Sequence, residues 1–128
     1  AQQTHDTLIQ GYFQLAADPQ LNKILRLGTQ DLSSLNEDEL GQFFAFWSGT
    51  LYIAQNWLYQ REKGALEEEL VDTFLSGLAE NFHAAGFQAY WSERRFTFSR
   101  NLRDWVDGVI ASPRQRPEHK MLQPASPV

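Results

Sequence analysis

The segment with the most chemical potential is Tyr90–Trp105, where four arginines (Arg94, Arg95, Arg100 and Arg103) interleave with five aromatic residues. Planar guanidinium groups fork onto carboxylates or phosphates and stack on indole faces. Tyr90, Trp91, Arg94, Arg95 and Trp105 are therefore the residues expected to bind an anionic ligand, a small molecule or a protein partner. The same residues also admit a structural reading. In that reading the arginines pair with Glu67, Glu68 and Glu69 or with Glu93, and the aromatics fill one end of a helical bundle.

A second motif is Glu80-Asn81-Phe82-His83. On a helix this spacing puts the carboxylate and the imidazole on one face, and bundle di-iron sites use the pair twice, with single glutamates from two further helices. Here the second copy is missing, because neither His5 nor His119 follows a glutamate by three positions. Neither a metal nor a cofactor is expected. The chain has no cysteine, which removes thiolate zinc sites, disulfides and a cysteine nucleophile. A Gly-x-Ser-x-Gly elbow and a phosphate-cradling loop are also lacking, since the eight glycines are scattered singly. The carboxylates at Glu67–Glu69, Asp104 and Asp107 read as solvated. The expectation is a protein that is not an enzyme. A net charge of −5 argues against nucleic acid as a partner.

These residues must be positioned by helices. Four of the five prolines (Pro113, Pro117, Pro124 and Pro127) fall in the last sixteen residues, and the rest of the chain has only Pro19. Proline breaks helices, so residues 1–112 read as a helical domain and 113–128 as a proline-rich tail. Arg114, Arg116 and Lys120 against Glu118 give the tail a charge of +2 and leave −7 for the body. Leu8, Ile9, Tyr12, Leu15 and Ala16 recur at helical spacing and predict a first helix ending near Ala17. Asp18-Pro19 caps a second, expected to reach Leu27 and to be closed by Gly28. Asn36 with Glu39 forms a capping box for a long helix to about Glu62, with Gly64 as its left-handed stop. Glu67–Glu69 favour a helix start near Leu66 and an end before Gly86. Phe87–Arg94 reads as a short helix or turn, and Ser99 caps a last helix from Arg100 to about Ala111. No sustained two-residue alternation marks a strand.

Leu40–Gln60 contains no charged residue. Twenty-one such residues are long enough to span a bilayer, but Gln42, Gln55, Asn56 and Gln60 are costly in hydrocarbon. The stretch reads instead as the bundle's central helix, apolar on more than one face. Leu40, Phe44, Trp47, Leu51, Ala54 and Leu58 form one stripe, and Phe43, Phe46, Ile53 and Trp57 another. Gly41, Ala45 and Gly49 stand four apart, which predicts the closest internal helix crossing there. Asn56, beside Gln55, is expected to make an interhelical hydrogen bond.

The run Phe46-Trp47 … Asn56-Trp57-Leu58-Tyr59-Gln60-Arg61-Glu62-Lys63-Gly64-Ala65-Leu66-Glu67-Glu68-Glu69 resembles a family of uncharacterised bacterial proteins. So do Gly86-Phe87 … Tyr90-Trp91 … Arg94-Arg95 … Phe98-Ser99 … Trp105-Val106-Asp107 and the opening Leu8 … Gly11-Tyr12-Phe13 … Ala17-Asp18-Pro19-Gln20-Leu21. The resemblance covers roughly residues 5–111; Ala65 departs from it, standing where the family pattern has leucine. It implies a soluble helical domain of a protein anchored by one N-terminal transmembrane helix that precedes Ala1, with the domain on the cytoplasmic side. It carries over no activity, cofactor or catalytic residue.

Taken together, the sequence predicts an all-α single-domain bundle of about five helices around a long central helix. Its expected role is that of a protein-interaction or sensor module. The rival readings are a small-molecule or anion binder built on the Arg/aromatic cluster and a homo-oligomerisation module in which the tail clasps a neighbouring copy as a homodimer.

Overall fold

Asp18 and Pro19 open the first helix of the computed structural model, which describes residues 17–65 and 67–113. The Asp18 carboxylate accepts the Leu21 amide at 3.1 Å, and proline occupies the first helical position, where no amide proton is needed. This helix, α1, spans Pro19–Gln30. It does not stop at Gly28: that glycine is buried inside the helix, where a side chain would meet Phe43 ring atoms at 2.6 and 2.8 Å and Leu35 Cδ1 at 2.7 Å. Gly28 serves a close approach and not a turn. The predicted helix from Leu8 lies outside the described residues, apart from Ala17, which is helical.

Asp31 ends α1 and caps a 3₁₀ turn, Leu32–Ser34, accepting the amide and the hydroxyl of Ser33 at 3.0 and 2.7 Å. Those two bonds hold its carboxyl below the usual range. Helix α2, Glu37–Glu62, starts with the expected capping box: Asn36 Oδ1 accepts the Glu39 amide and Glu39 Oε1 accepts the Asn36 amide, both at 2.9 Å. It ends on Gly64 at φ +71°, with Ala65 N–H donating to Gln60 O and Gly64 N–H to Arg61 O, each at 3.0 Å. That double bond pattern satisfies the last carbonyls of α2. Among the described residues no helix is long and apolar enough to cross a membrane.

Helix α3 is shorter than predicted, Glu68–Ala79, and Glu80–His83 form a turn that drives Phe82 fully into the core. Leu66, near which the start was expected, lies outside the described residues. Helix α4 then spans Ala85–Arg94, followed by a 3₁₀ turn at Arg95–Thr97. Ser99 Oγ accepts the Leu102 amide at 3.3 Å and opens α5, Arg100–Ala111. The described residues are thus all-α.

Helix α2 buries one face and not two: Phe43, Trp47, Leu51, Ala54, Trp57 and Leu58 are buried, while Leu40, Phe44, Phe46 and Ile53 are half-buried at its flanks. Gly41, Ala45 and Gly49 are exposed, and a side chain at either glycine would meet nothing within 4 Å among the described residues. The closest crossing lies elsewhere. A Cβ on Gly86 of α4 would stand 1.8 Å from the Gly28 carbonyl oxygen, so α1 and α4 touch backbone to backbone. The core joins that face of α2 to Ile24, Val71, Phe74, Leu75, Leu78, Phe82, Phe87, Tyr90, Trp91, Phe98, Leu102 and Val106. Through it runs a row of rings, Trp105–Phe82–Phe87–Trp91–Phe98–Tyr52, with successive centroids 4.6–6.3 Å apart.

Candidate functional site

The Arg/aromatic segment is divided by the fold. Helical spacing turns Tyr90 and Trp91 inward, where both are buried, and leaves Arg94 and Arg95 exposed. Tyr90 hydroxyl and Ser48 hydroxyl lie 2.9 Å apart, and Tyr90 meets Phe44 edge-on at 5.0 Å. Burial pushes the Tyr90 phenol up to about 12, against the lowering effect of the Ser48 bond. Trp91 Nε1–H donates to Asp107 Oδ1 at 2.7 Å, and Arg95 donates to the other oxygen of the same carboxylate. Burial raises the Asp107 carboxyl, but the bonds from Arg95 and Trp91 and the charges of Arg95 and Arg103 outweigh it and hold the group below its usual range.

Asp107, read from sequence as solvated, is therefore the organising residue. The arginines do not pair with Glu67–Glu69 or Glu93: Arg95 takes Asp107, Arg100 approaches Asp104 at 3.9 Å, and Arg103 donates to the Phe98 carbonyl. Arg94 lies 5.3 Å from the centre of the Phe44 ring and has no acidic partner among the described residues. Trp105, half-buried, packs on Phe82 at 5.1 Å. Structure brings Trp91 and Arg95 together at Asp107 and Tyr90 and Arg94 together at the Phe44 ring, and places Trp105 apart from both pairs, on Phe82.

Two clefts flank α5. The upper, about 590 Å³, is lined by Ser76, Glu80, His83, Asp104, Trp105 and Ser112, among others. Glu80 and His83 share this cleft although they do not share a helix face, because α3 ends before them. His83 Nε2 lies 3.0 Å from the Ser112 carbonyl oxygen and ties the turn to the end of α5. No cluster of three or more metal-ligating side chains occurs among the described residues.

The lower cleft, about 280 Å³, is lined by Tyr52, Gln55, Asn56, Tyr59, Ser99 and Asn101. Gln55, and not Asn56, makes the interhelical bond, its Oε1 accepting the Ser99 amide at 2.6 Å. Asn56 is exposed and accepts only a long 3.5 Å bond from Gln60. Tyr52 and Tyr59 are 47 % and 55 % exposed, which leaves half of each ring open to an occupant. Sequence reading missed this cleft, although Tyr52, Asn56 and Tyr59 at i, i+4 and i+7 share one helix face. Comparison with protein-family models, curated proteins and solved structures finds no match to the chain.

Proposed function

We propose that the chain is a non-catalytic helical module that binds another protein through the outer face of α2. The observation that carries this reading is the open line Gly41, Ala45 and Gly49, where a side chain at either glycine would meet no described residue within 4 Å. It lies within a run of twenty-one residues free of charge. A partner helix approaches closely where side chains are this small, and no residue of α2 from Leu40 to Gln60 carries a charge that would have to be desolvated. The anion-binding alternative is the weaker one, because Trp91 and Arg95 already serve Asp107. The resemblance described above adds that the module belongs to a membrane-anchored bacterial protein.

A photo-crosslinking residue placed at Ala45, in the cells the protein comes from, tests this. One discrete adduct is expected, abolished by Gly49→Arg, with none from the same probe at exposed Ser92 on α4. An adduct with the mass of two copies would favour the homo-oligomer reading. Equal labelling from both positions, or a turnover lost on His83→Ala, would overturn the proposal.

A further inference from the structure

We infer, resting on the reading of α2's outer face as a protein-binding one, that its partner is a second copy of this chain, packed antiparallel about a two-fold axis. Self-association then needs only α2 and not the tail. A symmetry within the face carries this. Gly41, Ala45, Gly49, Tyr52, Asn56 and Tyr59 follow one another in steps of three or four, and Asp38 and Lys63 continue the same steps at the two ends. All of them are exposed. Steps that average close to a helical turn keep the stripe nearly straight, over about 37 Å of helix.

The stripe is graded in size, small before its midpoint and large after it. Gly49 and Tyr52, Ala45 and Asn56, and Asp38 and Lys63 each lie symmetrically about the point between Thr50 and Leu51. Gly41 and Tyr59 do so to within one residue. A two-fold axis through that point lays Tyr52 on Gly49 of the second copy, Asn56 on its Ala45 and Tyr59 beside its Gly41. Each contact occurs twice, and every ring meets a glycine. Parallel pairing in register sets ring against ring and glycine against glycine. A glycine inside a helix lowers its stability relative to alanine, and no described residue needs the space at Gly41 or Gly49. A tyrosine ring from a second copy does.

Charge repeats the pattern. The first turn of α2 is acidic (Glu37, Asp38 and Glu39), and its far end carries Arg61 and the capping Lys63. Glu39 is held in the capping box, Arg61 pairs with Asp72, and Glu62 accepts a bond from Asn101. Asp38 and Lys63, the charges in line with the stripe, have no ion partner among the described residues. Lys63 Nζ lies 5.4 Å from the centre of the Tyr59 ring, so the ammonium stands on the stripe. Antiparallel pairing brings Asp38 beside Lys63 of the second copy at both ends, whereas parallel pairing brings like charges together. The result is a charge-free centre with a charged rim. A face one helix wide covers less than the about 800 Å² per partner of a standard interface, so dissociation in the micromolar range is expected.

Sedimentation of the full-length chain through the micromolar range should show a monomer–dimer equilibrium. Asp38→Lys or Lys63→Asp alone turns two attractions into two repulsions and is expected to weaken the dimer roughly tenfold. Both changes in one chain restore it, and the two single variants, when mixed, pair with each other. Gly49→Leu fills the place of the Tyr52 ring and leaves the chain monomeric. Its urea midpoint at low concentration stays at or above the parent's, because no described residue stands within 4 Å of that position. A dimer indifferent to Gly49→Leu and to charge reversal overturns the inference, as does a charge reversal that the compensating change fails to rescue. A chain monomeric throughout, whose Ala45 probe still gives one discrete adduct with a different protein, overturns it and leaves the reading of the face intact. A monomer with no discrete adduct removes both.

Discussion

Replacing Gly86 by alanine puts one methyl group where α4 meets α1, and the structure sets the size of the effect. The new Cβ would lie 1.8 Å from the Gly28 carbonyl oxygen and 2.6 Å from that of Thr29. Ordinary contact needs about 1.5 Å more separation, and helix carbonyls cannot rotate away as a side chain can. Alanine gains up to ~1 kcal/mol in helix propensity over glycine. Overpacking costs about 1–3 kcal/mol, and more where backbone must move, so the net expectation is a loss of about 2–4 kcal/mol. For a domain of this size that lowers Tm by roughly 10–20 °C.

The same substitution at Gly108, in α5, meets nothing within 4 Å among the described residues and is expected to raise stability by about 0.5–1 kcal/mol. Gly28→Ala falls between, because it collides with the side chains of Phe43 and Leu35, which can shift. Urea unfolding followed by circular dichroism measures all three, as midpoint changes at constant m. A Gly86→Ala protein as stable as the parent, or a Gly108→Ala protein equally damaged, would refute the packing argument.

Asp107→Asn removes the carboxylate shared by Trp91 and Arg95 and should cost about 1–2 kcal/mol at neutral pH, moderated by partial exposure. With its folded-state pKa depressed, Asp107 stabilises fully above the usual carboxylate range and loses that contribution as pH falls through the lower folded value. The variant's stability should therefore decline less on acidification than the parent's. Tyr90→Phe should cost about 0.5–1.5 kcal/mol and delete the phenolate step near pH 12 from an ultraviolet titration. Since the folded phenol titrates above its ordinary value, the parent's Tyr90 contribution is complete below pH 10 and lost as pH rises through about 12. Trp57→Phe should be milder than Trp91→Phe by about 1 kcal/mol in denaturant unfolding: the Trp57 indole N–H is buried without a partner among the described residues, whereas that of Trp91 holds Asp107.

Where the signal is local, sequence carried it fully. Asp18-Pro19, Asn36 with Glu39, Gly64 and Ser99 each act on backbone groups within four residues, and each forms the predicted cap. Gly28 reads as a helix stop because a glycine that ends a helix and one that admits another helix look alike until the partner, here Gly86 of α4, is known. Glu80 and His83 read as sharing one helix face because nothing in Glu80–His83 marks the end of α3, which stops at Ala79, with Phe82 of the following turn fully buried. The Arg/aromatic cluster was legible as composition only. Which of its members turn inward depends on the register of α4 against α2, set by the Ser48–Tyr90 and Trp47–Phe87 contacts. Asp107 stood inside the quoted motifs, but its two partners lie twelve and sixteen residues away.

The row of rings from Trp105 to Tyr52 gives this protein its own optics. One end stands in the wall of the upper cleft and the other in the wall of the lower, with Trp91 between them. Light absorbed at Tyr52 has an indole acceptor two rings away, and Trp105 emits from the opposite end. An occupant of either cleft thus changes the environment of a native fluorophore, and the two ends differ in residue type. Replacing Trp105 or Tyr52 by phenylalanine would separate each end's signal from those of the chain's other tryptophans and tyrosines.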